Sequence, residues 1–316
     1  MSRVVVAGGA GFLGSHLCDR LVERGDDVVC IDDLSTGRAE NVAQLSGHPR
    51  FELVVADVTT EVAVDGAVDA VCHLASPASP PAYMARPLET LAAGSDGTRR
   101  LLELAGTNDA RFLLASTSEV YGDPTVHPQT EDYRGNVDPV GPRSVYDEAK
   151  RFAEALTVAT GRARGTDVAI VRIFNTYGPR LSPGDGRVVS NFIVQAISGR
   201  PLTVYGDGAQ TRSLCFVDDE VAGLLALLDS DVVGPVNIGN PDERTVLDLA
   251  RLVLEVTGSR SAIEHRPPAA DDPIRRCPDI SLARQALGWE PTVRLEEGLA
   301  ITADHFATTL SQRDAS

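Results

Sequence analysis

Tyr146 and Lys150, in the run Tyr146-Asp147-Glu148-Ala149-Lys150, are the pair whose types and spacing point most directly to chemistry. On a helix, side chains four apart lie one turn above each other on one face. An ammonium held there favours the phenolate, so Lys150 is expected to lower the Tyr146 pKa from its free value of about 10. A phenol tuned that way takes a proton from an alcohol near neutral pH while the alcohol carbon gives up a hydride. Upstream, the apolar run Phe112-Leu113-Leu114-Ala115 breaks into Ser116-Thr117-Ser118-Glu119. The hydroxyls there, Thr117 above all, are placed to hold a substrate oxygen within reach of the phenol. A tyrosine and a lysine at this spacing also occur by chance on many helices, so the surrounding elements decide.

Those elements begin with a short apolar strand, Val4-Val5-Val6-Ala7, followed at once by Gly8-Gly9-Ala10-Gly11-Phe12-Leu13-Gly14. An amphipathic helix follows, with Leu17, Leu21 and Val22 on one face, and then a second strand, Val28 to Ile31, capped by Asp32-Asp33. This strand–turn–helix–strand unit is the shortest route to two parallel strands. Its glycines, Gly8, Gly11 and Gly14, permit a tight turn and close approach of the backbone to a pyrophosphate seated on the helix N-terminus. Asp32 is placed to accept from both ribose hydroxyls and to repel a 2′-phosphate. NAD is therefore expected over NADP, with Arg38 the one nearby residue that argues the other way. Phe12 and Leu13, at the helix start, and Asp33, Ser35, Thr36 and Gly37, after the second strand, complete this end of the expected cofactor site.

Further strands are expected at Phe51–Val55, Ala70–Leu74, Phe112–Ala115 and Val168–Arg172, with helices at Leu88–Ala105 and Tyr146–Ala159. The alternation predicts an α/β fold built on a doubly wound parallel sheet. Asp57-Val58 ends the third strand and is placed to flank an adenine, although an acid there also serves simply as a turn former. Leu74 and Ser76 end the fourth strand on the same carboxyl edge, beside the ribose and nicotinamide. Past Phe174 the texture changes to short elements punctuated by prolines, through a helix over Val189–Ser198 and a strand over Leu202–Tyr205. The expected division is an NAD-binding domain over 1–175, with 213–238 returning to it, and a smaller interleaved substrate-binding lobe over 176–316.

A chain of 316 residues and 33.5 kDa is long enough to bury a large core, and 43% hydrophobic content with 23% charge is that of a globular enzyme. The net charge of −16, with no basic tract, disfavours a nucleic-acid partner and means that an anionic substrate needs a local cluster of arginines. The five cysteines, Cys18, Cys30, Cys72, Cys215 and Cys277, are scattered and odd in number, reading as reduced core residues. No metal constellation appears among the six histidines. With no charged-then-apolar leader and no long apolar run, the expected location is cytoplasmic, with no membrane partner.

The glycine turn, Thr117 and Tyr146 through Lys150 together resemble the extended short-chain dehydrogenase/reductases that act on nucleotide sugars, which share the Rossmann sheet. The resemblance covers nearly the whole length, ending in LGWEP from Leu287 and LEEGL from Leu295. Within that family the chain is most similar to the UDP-glucuronate decarboxylases, or UDP-xylose synthases. The likeness lies in HLASPASPP from His73, LLASTSEVYGDP from Leu113 and RIFNTYGPR from Arg172. It continues in DGRVVSNFI from Asp185, PLTVYGDGAQTR from Pro201 and DDPIRR from Asp271. The chain departs from the pattern at Leu91-Ala92-Ala93-Gly94, where the family carries a lysine and an asparagine.

The resemblance implies NAD-dependent decarboxylation of UDP-glucuronate to UDP-xylose through a 4-keto intermediate, with NAD regenerated each turnover. It gives Ser118 and Glu119 the proton steps at the ring and Arg212 the substrate carboxylate. It places Asn175, Arg187, Val189, Ser190, Asn191, Tyr205 and Arg275 around the UDP and sugar, and it implies a homodimer. A 4,6-dehydratase or a 4-epimerase is the alternative, against which Arg212 and Ser118, standing where a dehydratase needs an acid, argue. A non-catalytic dinucleotide-sensing protein is the remote one, since such proteins usually lose the Tyr and Lys.

Overall fold

The computed structural model describes residues 1–60, 62–267 and 275–314. The chain opens with β1 (Arg3–Ala7), α1 (Phe12–Arg24), β2 (Asp27–Asp32), β3 (Phe51–Val55) and β4 (Ala70–His73). A strap carrying the short α2 (Pro80–Ala85) leads into α3 (Pro87–Ala92), α4 (Thr98–Asn108), β5 (Arg111–Thr117), α5 (Ser144–Arg164) and β6 (Val168–Ile173). Then come β7 (Thr176–Tyr177), α6 (Val188–Ile197), β8 (Leu202–Tyr205), β9 (Thr211–Ser213), β10 (Cys215–Phe216), α7 (Val217–Leu228) and β11 (Val236–Ile238). The last elements are β12 (Glu243–Thr245), α8 (Val246–Thr257), β13 (Ile263–Arg266), α9 (Ser281–Leu287) and α10 (Leu295–Asp314). Asp271, Asp272, Pro273 and Ile274, the start of one of the resembling motifs, lie outside the described residues.

Seven strands form one parallel sheet in the order β11-β6-β5-β4-β1-β2-β3. Its central strands are buried on both faces, which is why they read as unbroken apolar runs. Alternate residues serve opposite layers. Val4 and Val6 pack with Leu17, Leu21 and Leu224 on one side, Val5 and Ala7 with Leu101, Phe112 and Ile170 on the other. Strand order runs outward in both directions from the β1–β4 pair. A crevice opens there at the carboxyl edge, where ligands of such sheets bind.

The expected helix over Leu88–Ala105 is broken by a wider π turn at Ala93–Gly97. The cause is packing: a Cβ on Gly94 would lie 2.7 Å from the Ala149 carbonyl oxygen. Without one, α5 comes in against the turn, and Thr98 Oγ1 donates to the Gly94 carbonyl at 2.9 Å. α5 itself runs longer than expected and ends on Gly165 at φ 74°. Small two-stranded pairings, β7 with β10, β8 with β13 and β9 with β12, occupy the carboxyl-edge side with α6 and α8. β11, which lies between β10 and β12 in the chain, pairs with β6 at the edge of the large sheet. Among the described residues no helix is long and apolar enough to cross a membrane.

Candidate active site

The glycine turn is built as a bare backbone cradle. Gly8 sits at φ 81°, and a Cβ there would lie 2.6 Å from the Ala75 amide nitrogen; on Gly14 it would lie 2.1 Å from the Gly8 carbonyl oxygen. At the end of β2, Asp32 accepts from the Ala10 amide at 3.0 Å and the Leu34 amide at 2.9 Å. A Cβ on Gly37 would fall 2.7 Å from Asp32 Oδ1, so glycine leaves this carboxylate clear. Burial raises the Asp32 pKa, and the two amides oppose the rise. A cavity of about 340 Å³ runs from Gly8 and Gly11 past Asp32, Asp33 and Gly37 to Asp57 and Val58. Ser35, Thr36, Leu74 and Ser76 line both it and the larger cavity beyond. A phosphate-accepting cradle with a ribose-accepting acid at its far end fits NAD. Asp57 lines the groove while its side chain also closes a turn on the Thr59 amide at 2.8 Å.

The larger cavity, about 1380 Å³, is lined by Phe12, Leu13, Gly14 and Arg38 at the cofactor end, and by Thr117, Ser118, Glu119, Tyr146 and Lys150 at its centre. Asn175, Arg187, Val189, Asn191, Tyr205 and Arg212 line the rest of it. Two expected substrate contacts are absent from this wall. Ser190 is fully buried, with its hydroxyl donating to the Arg187 carbonyl at 2.9 Å. Arg275 is exposed, and its neighbour Arg276 is buried and lines the cavity.

Tyr146 and Lys150 lie in the first turns of α5, as their spacing predicts. Lys150 Nζ stands 5.9 Å from the Tyr146 ring centroid and donates to the Ala115 carbonyl at 2.8 Å, which ties α5 to β5. The expected lowering of the Tyr146 pKa is not what the structure has. Burial pushes the phenol well above its usual value, and the charges of Glu119 and Asp147 add to the rise. Arg187 and the Thr117 hydroxyl pull the other way and lose. Burial likewise brings Lys150 down to about 8, against the pull of Glu154, so it remains largely an ammonium at neutral pH.

Glu119 opens the turn after β5, where Thr117 Oγ1 caps its amide at 3.2 Å. Arg143 Nη2 meets Glu119 Oε2 at 2.6 Å, and Arg276 Nη1 grips Oε1. Burial alone would raise this carboxyl, but the two guanidiniums hold it at about 2. The opposite holds for Asp147, which burial and the Glu119 charge push up to about 7 against Arg143 and Arg276.

On the lobe side, Arg187 donates to the Ala78 carbonyl at 2.9 Å, and Gly186, at φ 84°, lies under Pro81. These contacts hold the strap over the site. Arg212, on β9, donates to the Thr211 carbonyl at 2.8 Å. Arg143 and Tyr83 escaped the reading of the sequence. Arg143 is recognisable only by its partner, 24 residues away. Tyr83 follows directly on the HLASPASPP motif, two residues past its end.

The site is thus an elongated crevice with a dinucleotide cradle at one end and an arginine-rich wall at the other. Between them lie a phenol and a fixed carboxylate, a combination suited to redox and proton chemistry on a phosphorylated anion. Residues 4–239 match the NAD dependent epimerase/dehydratase family. UDP-glucuronic acid decarboxylase 1 of Danio rerio is 51% identical over 311 residues, covering 98% of this chain and 74% of that protein. UDP-glucuronic acid decarboxylase 1 of Arabidopsis thaliana is 53% identical over 312 residues, covering 99% and 71%. The solved UDP-glucuronic acid 4-epimerase from Bacillus cereus, in complex with UDP-glucuronic acid and NAD, superposes with a TM-score of 0.86. It is 28% identical and the match covers 98% of this chain and 99% of that one.

Proposed function

This chain belongs to the NAD dependent epimerase/dehydratase family, and within it we infer a UDP-glucuronate decarboxylase that makes UDP-xylose. The observation that carries this reading is the identity of 51–53%, over nearly the whole chain, to proteins named for that reaction. NAD, which the Gly8–Gly14 turn and Asp32 would hold, would supply the hydride acceptor and donor for C4 of the sugar. Everything else falls to the chain's own residues. Tyr146, acting as the phenolate, receives the O4 proton, with the Thr117 hydroxyl beside it and the Lys150 ammonium fixed one turn along. The resulting ketone lies β to the C5 carboxylate, so carbon dioxide leaves through an enolate. Arg212 faces that carboxylate from the lobe side, and Arg187 serves the diphosphate, each as a charge-assisted donor. Glu119 stays anionic throughout, its charge held by Arg143 and Arg276.

Homodimerisation is part of the same proposal. Leu88 (75% exposed) and Leu91 on α3, Met84 on α2 and Phe152 (51% exposed) on α5 form neighbouring apolar outer surfaces on packed helices. Such a face calls for a partner. The cytosol is the proposed compartment, supported by five buried, unpaired thiols.

The deciding experiment incubates the protein with UDP-glucuronate and no added reductant. UDP-xylose with stoichiometric carbon dioxide and no net NADH is expected. UDP-galacturonate without carbon dioxide would instead make it a 4-epimerase, and no conversion at all would defeat the reading.

A further inference from the structure

When carbon dioxide leaves the 4-keto acid, the enolate needs a proton on C5 before C4 is reduced. The donor must line the cavity and carry a proton at neutral pH. Glu119 carries none, because two guanidiniums hold it ionised. Tyr146 holds the proton taken from O4 and has to return it to O4. Lys150 is directed onto the Ala115 carbonyl. The hydroxyls of Thr117 and Ser118 are aliphatic alcohols, far weaker acids than a phenol.

Of the remaining phenols that line the cavity, Tyr205 is 48% exposed, and the buried one is Tyr83, on α2 in the strap. Its ring stacks on Tyr146, centroids 5.3 Å apart and planes 7° from parallel. It is 2% exposed and lines the same cavity. Among the described residues, its buried hydroxyl has no hydrogen-bond partner. A buried hydroxyl left so is destabilising, and here it faces the cavity where a ligand can be its partner. The strap is pinned in place by Arg187 on the Ala78 carbonyl and by Gly186 against Pro81. Burial raises the Tyr83 phenol above its ordinary value, against the nearby Arg143 charge, so it keeps its proton.

We propose that Tyr83 is the acid that protonates C5 after decarboxylation, a role that rests on the decarboxylase reading. The enolate electron pair forms the C5–H bond as the Tyr83 O–H bond breaks and the C4 carbonyl is restored. The phenolate then regains a proton from water entering the cavity. That proton is the one the overall reaction consumes, since a carboxylate is exchanged for a C–H bond and carbon dioxide.

Tyr83→Phe tests this in deuterium oxide, with product deuteration read by NMR. The variant keeps the stacked ring and deletes only a hydroxyl without a partner, so it should unfold no more readily than wild type. Wild type should place deuterium at one of the two C5 positions. The variant should release one equivalent of carbon dioxide per site in a burst and then form UDP-xylose about 10²–10⁴-fold more slowly. Its deuterium should be spread over both C5 positions. Wild-type rate with single-position labelling overturns the proposal. So does an equal slowing of carbon dioxide release and product with labelling intact, which is a stacking role alone. A wild-type protein that releases no carbon dioxide defeats the functional reading and this inference together. UDP-xylose from wild type with an unaffected variant defeats only Tyr83.

Discussion

Replacing Arg276 by glutamine tests the claim that Glu119 is held as a carboxylate by paired guanidiniums. The Glu119 carboxyl stands at about 2 against an ordinary 4.5. At about 1.4 kcal/mol per unit, that depression corresponds to roughly 3 kcal/mol of preference for the charged form. The side chains are 5% and 16% exposed, so water screens the pair little. Arg143 remains in the variant at 2.6 Å, so only part of the effect is lost, on the order of 2 kcal/mol. The sign follows from linkage. Glu119 is depressed in the folded state, so its contribution is complete above the unfolded value and is lost as pH falls from about 4.5 towards about 2. Arg276→Gln should therefore be clearly less stable than wild type at neutral pH, and the gap should narrow as pH drops through that window. Urea unfolding at neutral pH and near pH 3 measures it, provided the denaturant slope is unchanged. Adding Glu119→Gln completes a cycle whose coupling should account for most of the loss. A gap that stays constant with pH refutes the argument, because it assigns Arg276 to packing and to its 3.2 Å bond with the Gly122 carbonyl. No gap at all refutes it more simply.

Three further outcomes are expected. Tyr146→Phe should lower turnover by about 10²–10⁴ with substrate binding little changed; near-normal turnover would mean that another group is the base. Protein purified without added nucleotide should release NAD on denaturation, and NADP as the main species would overturn the argument from Asp32. Light scattering at micromolar concentration should give a dimer that Phe152→Glu, on the exposed face of α5, converts to monomer; a monomeric wild type would count against that surface.

The sheet was legible because its central strands are covered on both faces and must be apolar throughout. The glycine turn was legible because a cradle without Cβ atoms tolerates no other residue at Gly8 or Gly14. Tyr146 and Lys150 were found through their helical spacing. What stayed hidden depends on contacts distant in sequence. Arg143 and Arg276 reach Glu119 across 24 and 157 residues, and no local pattern announces such a pairing. That Arg276 and not Arg275 lines the cavity depends on which way an irregular segment faces, which no local pattern records. The π turn at Ala93–Gly97 follows from α5 pressing against Gly94, a tertiary demand that helix propensity does not record.

The same distinction governs the protons. Helical spacing correctly placed an ammonium near the Tyr146 ring, but spacing carries no information about dielectric, and burial proved the larger effect. Environment then sorts groups that residue type would not. Glu119, an acid by type, holds no proton because guanidiniums flank it. Burial raises both the Tyr83 and the Tyr146 phenol above the ordinary value. Where surroundings drive titratable groups apart in this way, the acid and base roles divide with them. One phenol exchanges a proton with O4, the carboxylate stays charged throughout, and the second phenol is left to serve the carbon from which carbon dioxide departs.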